Sequence, residues 1–203
     1  MSFSEQFLAN VGRVVAALDS TVIERMADSV AAIRARGGRL FFLGVGGGAG
    51  HASHAVNDFR KLVGLECYTP TDNVSELTAR INDDGWDGAF RAWLVGSRLG
   101  PKDGVFVFSV GGGNEARQVS VNIVNAVNKA REVGATVLGI VGRDGGHTAT
   151  VADVVVVVPT VAPELVTPLT EALQAVVWHL LVSHPKLAVS AAKWESMTRD
   201  GSL

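Results

Sequence analysis

RLFFLGVGGGAGHASHAV, residues 39–56, decides the fold. Leu40 to Leu43 run without polar alternation, Gly44 and Gly46 to Gly48 break the run, and the residues that follow turn helical in pattern. That order is strand, tight loop, helix. The same grammar recurs in GVFVFSVGGGNEARQVSVNIVNAVNKARE, residues 104–132, where Asp103 and Gly104 introduce a strand, Gly111 to Gly113 form the turn, and a helix is expected to follow. ATVLGIVG (135–142) supplies a third strand leading into RDGGHTATVAD, and VVVVVP (154–159) a fourth. Apolar runs separated by helical segments imply strands covered on both faces, so the fold class is α/β, a sandwich around a parallel sheet. Upstream, Phe7, Val11, Val14, Val15 and Leu18, then Val22, Ile23, Met26, Val30 and Ile33, predict two helices over about 3–36, broken at Asp19 and Ser20. The last long helix is expected from about Pro168 through Leu181.

The 203 residues are 47% hydrophobic, enough for one large core, and a single domain over 1–203 is the expectation. With 18 basic and 20 acidic residues the chain lacks the basic footprint that binds nucleic acid through its phosphates. The single Cys67 cannot form an internal disulfide, and the amino terminus has neither the basic start nor the apolar run of a signal peptide, which fits a reducing cytoplasm. No stretch is expected to span a bilayer, since even VADVVVVVP (151–159) is short and reads as a buried strand.

Glycines between the carboxyl end of a strand and the start of a helix let backbone N–H groups approach an anion, to which the helix dipole adds favourable charge. Phosphate is the natural ligand of Gly46, Gly47 and Gly48, and of Gly111, Gly112 and Gly113. A dinucleotide would require an acidic residue at the end of the next strand, roughly 20 residues on; the region after Gly48 instead offers His51, His54 and Asp58 on a helix, so no nucleotide cofactor is expected. His54 and Asp58 are spaced i, i+4, and Glu171 and His179 are eight apart, a little over two turns. Two imidazoles and two carboxylates from two helices form a ligand set suited to zinc or another divalent transition metal.

LGVGGGAGHASHAVNDF (43–59), FSVGGGNEARQVS (108–120), IVGRDGG (140–146) and TEALQAVVWHLL (170–181) resemble, in order and spacing, the defining segments of the phosphoheptose isomerase branch of the sugar isomerase (SIS) family. The resemblance implies a three-layer sandwich with a five-stranded parallel sheet, assembled as a homotetramer with active sites between subunits and the first helices packed in the oligomer. It implies metal ligation by His54, Asp58, Glu171 and His179, with Asp58 standing for a Glu and Glu171 for a Gln. It also implies enediol chemistry on a phosphorylated sugar such as sedoheptulose 7-phosphate, with Asp58 as base and His179 as acid, serving heptose precursors of a surface polysaccharide.

Departures from the family accompany the match. Its first loop reads GNGGS and its second STSGNS, whereas here Val45 and Gly48 replace the Asn and Ser of the first, and the second keeps Ser109 but has Val110, Gly111, Gly113 and Asn114. Each missing charge-assisted hydrogen bond forfeits about 1.5–3 kcal/mol, which leaves the phosphate to backbone amides, Asn114 and Arg117. His51 stands where the family has an Asp near the sugar, and Asn73 and Ser75 where it has a substrate-contacting Asp and a Ser. Asn82 and Asp83 match a family Asn-Asp pair, with capping of a following helix preferred over substrate contact. Trp86, Trp93 and Trp178 read as core or interface and His184 as incidental, while Arg143 to Gly146 reads as a turn with Arg143 in an ion pair, although loops at strand ends in this fold approach the ligand. The competing readings are a non-catalytic sugar-phosphate sensor or adaptor, and an isomerase or epimerase of another phosphorylated sugar.

Overall fold

A computed structural model describes residues 1–194. Helices α1 (Phe3–Ala17) and α2 (Ser20–Ala35) come first, followed by β1 (Leu40–Gly44), α3 (Gly47–Asp58), β2 (Cys67–Tyr68), α4 (Val74–Gly96), β3 (Gly104–Ser109), α5 (Val121–Glu132), β4 (Thr136–Val141), α6 (Gly146–Val151), β5 (Val154–Val157) and α7 (Val166–Ser183). The break between the first two helices has a local cause: the Asp19 carboxylate accepts from the Thr21 amide at 2.9 Å and caps α2. Ser2 and Glu5 form a reciprocal capping box at the start of α1.

All strand pairs are parallel and the order is β2-β1-β3-β4-β5. The fifth strand implied by the family resemblance is β2, only two residues long, too short for any periodicity to announce it. Side chains alternate between the two faces. Phe42, Phe106, Phe108, Leu138 and Ile140 pack with α2, α3 and α7, whereas Phe41, Leu43, Val105, Val107 and Val137 pack with α4 and α5. Both faces are buried, which is why the strands read as unbroken apolar runs.

Three expectations are corrected. The helix after the second glycine loop does not follow directly: α5 begins at Val121, and residues 114–120 form a loop pinned by a bridge between Asn114 and Val119. Asn82 and Asp83 make no capping bond among the described residues; they lie inside α4, ahead of its break at Gly85 (φ 71°), and Asn82 Nδ2 donates to Asp83 Oδ1 at 2.8 Å. Residues Pro163–Ser183 do have the length and hydropathy to cross a bilayer, yet α7 buries Leu169, Leu173, Gln174, Val177, Trp178 and Leu181 in the core.

The amino-terminal edge of the sheet is held by an ion pair. Arg39 Nη2 lies 2.8 Å from Asp103 Oδ2, and the Asp103 carboxylate also accepts from the Arg39 and Gly100 amides at 2.9 and 3.0 Å. This fixes β1 against β3, the two strands that end in glycine loops. Burial would raise the Asp103 carboxyl, but the hydrogen bonds from Arg39 and Gly100 outweigh it and hold it below the usual carboxylate value. Asp103→Ala is therefore expected to cost about 3 kcal/mol in urea unfolding at neutral pH, because it strands a half-buried guanidinium. A depressed pKa stabilises the fold fully above the unfolded value and is lost as pH falls through the folded one, so the gap between wild type and variant narrows below about pH 4.

Candidate functional site

From β1 the chain moves outward to β2, then crosses back to β3 on the other side of β1. The helices after β1 and β3 lie on opposite faces, α3 in one core cluster and α5 in the other. A crevice opens at the carboxyl ends of two strands where the winding reverses in this way. Here it is a cleft of about 370 Å³ whose walls include Val45, Gly48, Ser109, Gly111, Gly113, Asn114, Arg117, Arg143 and Glu171.

The loops around the cleft are glycine-rich because backbones touch there. A β carbon on Gly48 would stand 2.5 Å from the Phe108 carbonyl oxygen. Gly112, at φ 67°, would drive a β carbon into the Gly145 carbonyl, and Gly146 would meet the Gly111 carbonyl. The second loop is stitched to the turn after β4: the His147 and Thr148 amides donate to the Gly113 and Gly112 carbonyls at 2.8 and 2.9 Å, and Thr148 Oγ1 donates to Gly112 O at 2.7 Å. Ser109 Oγ accepts from the Gly112 amide at 3.0 Å, and Asn114 Oδ1 from the Arg117 amide at 2.9 Å, so both side chains shape the loop that carries them.

Glu171 leaves the expected four-ligand group. Its carboxylate rests against Gly47, the first residue of α3, so closely that any side chain at position 47 would overlap it. An acidic group at a helix amino terminus meets the positive end of the dipole. His51, one turn further on, is half-buried, with its ring centroid 5.9 Å from that of Phe108. Burial pushes the His51 imidazole pKa down, while the nearby Glu171 carboxylate acts in the opposite sense.

His54, Asp58 and His179 do come together, with one ligand atom from each lying within 4.8 Å of the others. His54 Nε2 is 3.6 Å from Asp58 Oδ2, and the two imidazole centroids are 5.4 Å apart. His179 Nδ1 is 2.8 Å from the Ala175 carbonyl, which can only accept, so Nδ1 carries the proton and Nε2 keeps its lone pair. Trp178 holds both rings, stacked 3.5 Å from His179 and edge-on to His54 at 4.7 Å. Two imidazoles and one carboxylate, with a ring tautomer set by a carbonyl, suit a divalent transition metal that keeps an open position. Glu171, eight residues from His179, is displaced about 12 Å along α7.

The remaining expectations scatter. Asn73 caps α4 by accepting from the Glu76 amide at 3.3 Å, Ser75 lies in the same first turn, and both are exposed, as are Asn82 and Asp83; none of the four lines the cleft. Trp93 and Trp178 are core residues, and Trp86 lies 42% exposed against Phe90. His184 lies outside the cleft, 3.2 Å from Glu24. Arg143 makes no ion pair among the described residues, contrary to expectation, and its side chain lines the cleft.

The SIS domain profile matches residues 3–142, more than half of the chain. The chain belongs to the SIS domain family. This SIS domain is 31% identical over 195 residues to the lincomycin biosynthesis protein LmbN of Streptomyces lincolnensis, covering 91% of this chain and 69% of that protein. It is 32% identical over 164 residues to the phosphoheptose isomerase of Rhodospirillum rubrum, covering 78% and 81% of the two chains. Its fold is similar to that of phosphoheptose isomerase GmhA from Neisseria gonorrhoeae, with a TM-score of 0.74 at 23% identity over 90% of this chain and 98% of that one.

The Phe108 carbonyl occupies the space that a side chain at position 48 would need. Gly48→Ser is thus expected to destabilise the protein by about 1–3 kcal/mol through overpacking, measured by thermal unfolding, and to gain no affinity for phosphate.

Proposed function

We propose that this SIS domain is an aldose–ketose isomerase acting on a phosphorylated ketose, with sedoheptulose 7-phosphate converted to a manno-heptose 7-phosphate. The observation that carries the reading is the convergence of His54, Asp58 and His179 from two helices on a scaffold that also bears the glycine-walled cleft. The similarity to phosphoheptose isomerases over most of the chain supports the substrate class.

The reaction moves a carbonyl by one carbon. A base takes a proton from C1 of the ketose while the C2 oxygen gains one, giving the enediol; C2 then receives a proton as the C1 hydroxyl loses its own, giving the aldose. Asp58 is the base, since a carboxylate has two oxygens and holding an ion with one leaves the other for the proton. His179 offers only Nε2, which serves either as ligand or, protonated, as acid. A bound zinc or similar divalent ion would polarise the carbonyl oxygen and offset enediolate charge. Asp is one methylene shorter than the family's Glu, and an error near 1 Å costs on the order of 100-fold in rate, so the substrate must sit closer to α3 than it does with Glu.

Assembly as a homotetramer, with each site shared between subunits, belongs to the same proposal. His54 and His179 are exposed in the single chain, the latter flanked on α7 by exposed Val176 and Leu180, and neither lines the cleft. Phe3, Leu8 and Val15 leave a second apolar surface on α1. A neighbouring subunit covering these faces would exclude water and bring Asn73, Ser75, Asn82 or Asp83 to a cleft they do not reach in their own chain. The chain acts as one domain in a reducing cytoplasm, where its buried Cys67 stays a thiol.

In deuterated water the purified protein is expected to exchange the proton beside the carbonyl of sedoheptulose 7-phosphate, read by NMR. Asp58→Asn and His179→Ala are each expected to lower that rate by about 100-fold or more. Cobalt titration is expected to reach one ion per chain, with His54→Ala abolishing it; retained cobalt binding in His179→Ala would assign His179 to proton transfer alone. The hydroxyl-poor loops favour a second reading, a non-catalytic sugar-phosphate sensor, which would bind the ligand without exchanging any proton.

A further inference from the structure

The cleft must supply positive charge from somewhere, and part of its backbone is already committed. At α3 the first residue is already faced by the Glu171 carboxylate, and the amides of Gly48, Ala49 and Gly50 donate to Val45 and Gly46 carbonyls. At α6 the His147 and Thr148 amides are taken by the second glycine loop. At α5 the helix starts eight residues beyond Gly113, with Ser120 in the left-handed region and no side-chain cap. A serine side chain has no space at Gly48, where the Phe108 carbonyl stands, whereas at Gly111 a β carbon would meet only the Arg143 side chain.

Two guanidinium groups remain. Arg117 and Arg143 both line the cleft, and neither side chain has a hydrogen bond or ion pair among the described residues. The two carboxylates beside them are directed elsewhere: Asp144 Oδ1 accepts from the Gly146 amide at 3.2 Å, and Glu171 rests against Gly47. Arg143 sits at φ 54°, in the left-handed region that an arginine rarely adopts, and a β carbon on Gly111 would stand 3.8 Å from its Cδ. Its side chain thus passes over the second glycine loop. A strained backbone that aims an uncommitted cation across a ligand cleft is the pattern expected of a binding position.

We infer that Arg143 grips the phosphate of the substrate, paired with Arg117 across the second glycine loop, and so takes the place of the missing loop hydroxyls. This rests on the sugar-phosphate reading above and adds the residue that confers phosphate selectivity. Two guanidinium groups match the charge of a phosphate dianion, and each can donate two parallel hydrogen bonds to its oxygens.

The test measures binding of inorganic phosphate to the whole protein by calorimetry, together with KM and kcat for sedoheptulose 7-phosphate. Arg143→Gln is expected to weaken phosphate binding and raise KM by about 10- to 100-fold with little change in kcat, the pattern of a lost binding contact away from the reacting carbons. Arg143→Lys, which keeps the charge and loses the fork, should fall between. Arg98→Gln serves as control, since Arg98 shares the left-handed backbone (φ 54°) and lies outside the cleft; it should change neither quantity. Folding of each variant is checked by circular dichroism, and Arg143→Lys carries the test if Arg143→Gln does not fold. Wild-type phosphate affinity retained within twofold in the Arg143 variants overturns the inference and leaves the sugar-phosphate reading standing. A wild type that neither binds phosphate nor exchanges any sugar proton overturns both.

Discussion

The contact on which this structure depends is backbone against backbone at the carboxyl edge of the sheet. The Phe108 carbonyl lies over Gly48, and Gly112 lies against Gly145 and Gly146, with no side chain between them. Strands β1, β3 and β4 can end this close together only because those positions lack a β carbon. The same closeness excludes a hydroxyl side chain at Gly48 and commits the Gly112, His147 and Thr148 amides to the loops themselves. Rigidity and anion affinity compete for the same atoms, and the competition is resolved by moving positive charge onto the long side chains of Arg117 and Arg143.

The seam between α3 and α7 carries two distinct clusters. At the loop end Glu171, Gly47 and His51 form a half-buried group beside the cleft. One to two turns away His54, Asp58 and His179 form an exposed group, oriented by Trp178, whose ring contacts both imidazoles. Burial works differently on the two. It disfavours charge on His51, whereas the outer group keeps the water access that a metal ion or a partner subunit would need. A single chain therefore has an anion cleft and an acid–base group that do not share a wall, which is why assembly enters the functional proposal.

The expectation of capping by Asn82 and Asp83 failed for a physical reason that sequence does not carry. The chain is helical on both sides of the break at Gly85, Asn73 caps the start of α4, and Asn82 and Asp83 pair with each other instead. The loop after Gly113 likewise departs from the expected helix: the Asn114–Val119 bridge, made possible by left-handed Gln118 and Ser120, holds it open. Arg143 stands in a loop at a strand end, a place near the ligand in this fold, but no local signal pairs it with Arg117 at one cleft.

What the sequence by itself determined is what periodicity and local chemistry encode. The strand-loop-helix units and the burial of both sheet faces follow from unbroken apolar runs ended by glycines, and the pairing of His54 with Asp58 on one helix face from a spacing of four. What only the tertiary structure decided is which distant groups meet. Glu171 turned to Gly47 rather than to the histidines, and Arg143 joined Arg117 from the end of another strand, because helix packing and close glycine contacts set those separations. Through-space distances of that kind arise from the whole packed sheet, and no local pattern of residues records them.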